Sequence, residues 1–167
     1  MAEESFTDAI ALLKADHRKV EELFEKFESA GSGSKQAIAE QICNELKIHT
    51  MIEEEIFYPS LEGKIEEETL SEAYVEHDGA KVLVNDIMAG GPDDEFYESK
   101  VKVLSEEIEH HVQEEEQRET GMFAQARETD VDLVALRDQM LMRKEELMAQ
   151  AESGGLPPAE LRTVQAA

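Results

Sequence analysis

His49-Thr50-Met51-Ile52-Glu53-Glu54-Glu55-Ile56-Phe57-Tyr58-Pro59 sets an imidazole and a carboxylate four residues apart inside a helical apolar pattern. On an α-helix that spacing stacks the two side chains on one face, with Cβ atoms about 5–6 Å apart. Both then reach one metal ion, or the carboxylate bridges two. His111-Val112-Gln113-Glu114-Glu115 repeats the pair downstream. Two such helices supply half or more of a metal site if the fold brings them together.

A chain of 167 residues suffices for one domain with one core. Helix formers dominate, Gly and Pro are sparse and clustered, aromatics make up 5% and Trp is absent, so the class is read as all-α. A net charge of −24 without a basic cluster disfavours nucleic acid and anionic lipid as partners. Its self-repulsion favours a soluble monomer. The single cysteine, Cys43, excludes an internal disulfide and suits a reducing compartment, where it reads as a small apolar side chain beside Ile42. No apolar run is long enough to span a membrane, and the acidic start MAEESFTD lacks a signal-type stretch, so the expected location is the cytoplasm.

Apolar periodicity predicts a first helix from about residue 8 to 30 through Ile10, Leu13, Val20, Phe24 and Phe27, with Ser5, Thr7 or Asp8 at its start. A second runs from about Lys35 through Ile38, Ile42, Leu46, Ile52 and Ile56, and Pro59 should kink or end it near Tyr58. A third spans about 66–88, and a fourth, capped by Asp93 or Asp94, carries Tyr97, Val101, Leu104 and Ile108. A fifth starts at Asp130. Short loops between the first four imply an antiparallel up-down four-helix bundle, with the additional C-terminal helix outside it or across one end. The domain is read as 1–153 and the segment 154–167 as a mobile tail.

Each of the first four helices carries one histidine on its predicted inner face: His17, His49, His77 and His111. Singly, each has a bland explanation as a hydrogen-bonded core residue, and glutamate runs are usually solvated faces, so Glu54 and Glu55 are read as solvent-facing. Together with Glu53 and Glu115 they are harder to dismiss, because burying four imidazoles and two carboxylates without compensation costs several kcal/mol per charge. Bound cations remove that cost. A donor set without thiolate suits iron, manganese or zinc rather than copper(I) or an iron–sulfur cluster. Six ligands are too many for one tetrahedral zinc and fit two ions, each taking two histidines, with Glu53 and Glu115 bridging. His110 falls at the edge of the apolar stripe. Glu45 and Glu107, four residues before His49 and His111, either accept a ring N–H or lie on the surface. The ferritin-like pattern of Glu-x-x-His on two helices is met only by Glu107-x-x-His110 and is set aside.

Asp16-His17-Arg18, the run His49 to Pro59, Glu76-His77 and His110-His111-Val112-Gln113-Glu114-Glu115-Glu116 resemble the hemerythrin HHE cation-binding family over about residues 8–150. The resemblance implies a four-helix bundle holding two non-haem iron ions with an oxo or hydroxo bridge from water. Its ligands would be His17, His49, Glu53, His77, His111 and Glu115, and its partner a small diatomic or peroxide ligand. Two departures stand out. Lys81 lies four residues after His77, where oxygen-carrying members have a histidine, so one position is open or held by water. Lys81 either turns its head to solvent or gives a proton to bound substrate. Gly121 stands where the fourth-helix motif would close with proline. The functions that follow, in order, are a redox enzyme consuming peroxide or nitric oxide, a module that stores or senses O2, iron or nitric oxide, and an acidic partner-binding bundle.

Overall fold

The computed structural model describes residues 5–165; residues 1–4 of the expected domain and 166–167 of the expected tail lie outside the described residues. All regular structure among the described residues is helical: α1 (Ala9–Ser29), α2 (Ser32–Ile52), a π-helical turn (Glu53–Phe57), α3 (Tyr58–Leu61), α4 (Glu67–Gly90), α5 (Tyr97–Glu116), α6 (Met122–Arg127) and α7 (Leu133–Ser153). Asp8 caps α1 by accepting from Ala11 N at 2.9 Å. Asp132, two residues past the expected start, does the same for Ala135 N of α7 at 3.0 Å. No described helix is long and apolar enough to cross a membrane.

α1 packs on α2 and α5, and α4 packs on the same two helices, which closes a ring; α7 lies against α1, α2 and the π turn. Inside are two apolar clusters. One gathers Ile10, Leu13, Ile52, Phe57, Ala73 and Met140, the other Val20, Phe24, Ile42, Leu46, Val84 and Leu104. α1 passes from the first cluster to the second, α2 from the second to the first, and α4 from the first to the second. His17, His49 and His77 fall where their helices change cluster, so apolar side chains flank the polar layer along the bundle on both sides.

Pro59 neither ends nor sharply breaks the second helix. The chain widens into the π turn, in which Tyr58 N–H bonds to Glu53 C=O, and then continues as α3. A proline ring collides with the carbonyl four residues earlier in a regular α-helix, and a wider turn just before it relieves that collision. The extra residue rotates everything after Glu53. Tyr58 thereby becomes fully buried, and Glu54, expected in solvent, is 7% exposed.

The path after Glu116 also departs from expectation. A short loop ends at Gly121, where an added Cβ would lie 2.6 Å from Gln117 O and 2.8 Å from Glu114 O. α6 follows and buries Met122, Phe123 and Ala126. Residues 154–165, expected as a mobile tail, are strapped along α4. Asp78 accepts from the backbone N–H groups of Arg162, Thr163 and Val164, and Asn85 exchanges hydrogen bonds with Ala159. A carboxylate and an amide placed mid-helix thus satisfy backbone groups that solvent would otherwise have to serve.

Candidate metal centre

α1, α2, α4 and α5 each deliver one imidazole to the same layer, and all four are at most 6% exposed. The rings form two pairs, His17 with His49 at 4.9 Å between centroids and His77 with His111 at 4.8 Å. The two glutamates span the pairs. Glu53 Oε1 is 2.9 Å from His49 Nε2 and 3.3 Å from His77 Nε2. Glu115 Oε1 is 3.3 Å from both His17 Nε2 and His111 Nε2. The structure therefore brings together all six side chains singled out from the sequence, with each carboxylate facing one histidine from either pair.

Each imidazole is held from behind by a second carboxylate at Nδ1. His49 donates to Asp16 at 3.0 Å, His17 to Glu116 at 2.7 Å, His77 to Glu54 at 2.7 Å and His111 to Glu76 at 2.9 Å. This fixes the ring orientation and turns every Nε2 inward. The holders are not Glu45 and Glu107. Glu45 pairs with Lys19 at 2.7 Å on the surface, and Glu107 is exposed. An i−4 rule searches along one helix, whereas all four of these partners arrive from a neighbouring element. A signal was available, since Asp16, Glu54, Glu76 and Glu116 each adjoin one of the six central residues in sequence.

Tyr58 was not anticipated at all. Its hydroxyl donates to Glu115 Oε2 at 2.9 Å and lies 3.1 Å from His77 Nε2 and 3.4 Å from His111 Nε2. The expected open position near the third helix therefore faces a phenol. Lys81 is not brought to the imidazoles and does not snorkel. Its ammonium is bound by Glu54 Oε1 at 2.9 Å, Glu160 C=O at 2.9 Å and Asp78 Oδ1 at 3.5 Å, so it reaches the layer only through Glu54. The side chain of His110 is 65% exposed and pairs with Glu114 at 3.0 Å.

Charge in the layer is strongly coupled. Burial opposes protonation of His49, but Glu53 and Asp16 outweigh it and hold the ring up at about 10. His111 is pushed well above its ordinary range against burial by Glu115 and Glu76, and His17 is raised by Glu115 and Glu116. Asp16 moves the other way: burial opposes its charge, yet His49 and Lys144 lower its carboxyl to about 2. Protons alone thus compensate the buried carboxylates only by charging imidazoles.

They do not compensate them fully. His17 Nε2, His49 Nε2, both Glu53 oxygens and Glu115 Oε1 are buried without a hydrogen-bond partner. Buried polar atoms are nearly always satisfied, so five orphans at one point need an explanation. Two facing sets, His17, His49, Glu115 and Glu53, His77, His111, each offer ligand atoms within 4.8 Å of one another. The N···O separations of 2.9–3.3 Å are close to the edge of an octahedron with bonds of about 2.1 Å. The residues present therefore fit two cations with imidazole, carboxylate and phenol donors.

Comparison with known proteins identifies the family and the fold. The profile of the hemerythrin HHE cation binding domain matches residues 8–123. A solved structure of a hemerythrin HHE cation binding domain-containing protein, the Rv2633c homolog from Mycobacterium kansasii, superposes with a TM-score of 0.72 at 21% identity, covering 90% of this chain and 96% of that one. A curated protein of Nostoc sp. (strain PCC 7120) described as a DNA nickase is 30% identical over 106 residues, which is 63% of this chain and 30% of that protein. The chain thus spans less than a third of the length of that relative.

Proposed function

This chain belongs to the hemerythrin HHE cation-binding domain family, and we propose that it is a non-haem di-iron protein that binds O2, peroxide or nitric oxide and consumes peroxide or nitric oxide. The observation that carries the reading is the set of five unpartnered buried ligand atoms at the meeting point of His17, His49, Glu53 and Glu115. His17 and His49 would hold one ion, and His77 and His111 the other. Glu53 and Glu115 would bridge them beside an oxo or hydroxo group from water. The alternation of apolar clusters along successive helices supports an antiparallel up-down bundle as the frame.

When bound, the iron pair supplies a redox couple and a Lewis acid in a water-poor site. The protein's own residues do the rest. Asp16, Glu116, Glu54 and Glu76 fix the four rings and make them more electron-rich, which favours the higher oxidation state. In the metal-free layer Tyr58 holds a proton at Oη, 2.9 Å from Glu115, and with cations bound its phenol oxygen would become a further donor on the third-helix side. Lys81 acts as a positioning residue that clamps Glu54 behind His77. A void of about 20 Å³ touches all four imidazoles and is otherwise walled by side chains such as Val20, Leu46, Ile108 and Val112. That is room for one water-sized or diatomic ligand.

A second reading, reversible binding of O2, iron or nitric oxide without turnover, draws support from the same enclosure. With the six central side chains at most 6% exposed, an external electron donor has poor access. The net charge of −24 supports a monomer and gives no encouragement to nucleic acid, so a nicking activity is not carried over from the Nostoc protein. The buried Cys43, whose thiol burial pushes up to about 12, is consistent with a cytoplasmic setting in which no disulfide is needed.

The test is to load the metal-free protein with ferrous iron anaerobically, measure iron per chain, and follow peroxide and nitric-oxide consumption, with Glu53→Ala as control. Two irons with consumption that the variant loses supports turnover. Two irons without consumption supports the binding module, and no stoichiometric metal rejects both.

A further inference from the structure

Outside the metal layer a cleft of about 540 Å³ opens between α2, α4 and the C-terminal strap, walled among others by Lys47, Met51, Lys81, Pro157, Pro158 and Arg162. Its volume lies in the range of small-molecule sites. Most of the charges on its walls are already committed. Lys81 is bound by Glu54, Asp78 and a strap carbonyl, and Arg162 reaches Glu54 and stacks 4.9 Å over the Tyr74 ring. Glu55 is taken by Arg143 at 2.8 Å.

Among the cations of the walls Lys47 is the exception. It is 5% exposed and makes no ion pair or side-chain hydrogen bond among the described residues. The side chain is largely buried and has no counter-charge, and it lines the cleft, so a ligand there can reach the ammonium. We propose that the cleft binds a small organic monocarboxylate, its carboxylate on Lys47 Nζ and its aliphatic part against Met51, Pro157 and Pro158. One free cation calls for one negative charge. Glu54, Glu55 and Glu160 on the walls repel a dianion such as inorganic phosphate, and the methionine and prolines give a fully polar ligand little to bind. Glu54 forms part of both this cleft and the hydrogen-bonded backing of His77, so the occupied cleft touches the metal layer through one carboxylate.

The full chain is titrated with sodium hexanoate, followed by calorimetry and by the methyl resonance of Met51, with 1-hexanol and inorganic phosphate as comparison probes. Hexanoate binds saturably at one site and shifts the Met51 signal. Binding weakens by about tenfold or more in Lys47→Met and stays within about threefold in Lys47→Arg, as expected for loss and retention of a charge-assisted hydrogen bond. Hexanol and phosphate bind at least about tenfold more weakly than hexanoate to the unaltered chain, a comparison that stands even if Lys47→Met fails to fold. Absence of saturable hexanoate binding, equal affinity in a folded Lys47→Met, or tighter binding of either comparison probe overturns the proposal.

Discussion

Tyr58 donates its hydroxyl hydrogen to Glu115 Oε2 across 2.9 Å, tying the end of the π turn to the last turn of α5. Burial, together with Glu115 and Glu53, holds the phenol well above its ordinary range, so it keeps its proton while no cation is near. Two cations would reverse that balance and favour the phenolate. Tyr58→Phe leaves Glu115 without its donor and should lower the stability of the metal-free protein by about 1–3 kcal/mol in urea denaturation. The iron-loaded chain should also show phenolate-to-iron charge-transfer absorption that the variant lacks. Identical visible spectra would confine Tyr58 to hydrogen bonding.

Gly121 is required by space rather than by conformation, since its φ is −69°. A methyl group there meets the backbone of Gln117 and Glu114 at 2.6–2.8 Å, and backbone cannot swing aside as a side chain can. Gly121→Ala should cost about 1–3 kcal/mol by chemical denaturation. Because the clash pushes on the turn that carries Glu115 and Glu116, iron per chain at saturating iron should fall as well. Wild-type stability and full iron loading in the variant would count against this packing.

The inner-face histidines were legible because a 3.6-residue period is a local property: Leu13, His17, Val20 and Phe24 share a stripe whatever the rest of the chain does. The π turn was not. Pro59 announced a disturbance, but one inserted residue versus a helix end is decided by whether Phe57 and Tyr58 find room inside. Everything that depended on the turn was lost with it, including the inward rotation of Glu54 and the arrival of Tyr58 at the imidazoles. Asp16 and Glu116 were missed for a different reason. A residue adjacent to a ligand points about 100° away from it around the helix, toward a neighbouring helix whose identity only the tertiary fold supplies. The strap failed on composition, because Pro157, Pro158 and their neighbours look like a solvated tail until Asp78 is known to lie beneath them.

The raised imidazoles give the metal-free protein a defined pH dependence. His49 moves from an ordinary value near 6.5 to about 10 on folding, so its stabilising contribution is complete below pH 6.5 and is lost as pH rises toward 10. His17 and His111 act in the same direction. The melting temperature of the metal-free protein should therefore fall across this alkaline range. Metal binding needs the neutral rings, so at pH 7.5 loading should release about one or more protons per chain. Calorimetry in two buffers of different ionisation enthalpy measures that number, and a value of zero would mean that the rings are already neutral in the metal-free layer.

Asp78 gives the last expectation, because it accepts every backbone N–H hydrogen bond that the end of the strap makes to α4. It accepts from Arg162 N at 3.0 Å, Thr163 N at 2.6 Å, Thr163 Oγ1 at 2.8 Å and Val164 N at 3.0 Å. Burial opposes its charge, but the bonds from Thr163, Arg162 and Val164 hold its carboxyl far below the ordinary range. A depressed carboxylate contributes in full above its unfolded value of about 3.9 and is lost only below it, so the strap should resist protease at pH 5 as well as at pH 7. Asp78→Ala removes every one of these acceptors. Cleavage within residues 162–165 should accelerate by about tenfold or more, since local opening of this end then costs less, while Asn85 still holds Ala159. Helical circular dichroism and iron per chain should hold, because His77 remains bonded to Glu54 and Glu54 to Lys81 without the strap. Iron loss in place of faster cleavage would instead make Asp78 part of the frame of the metal layer.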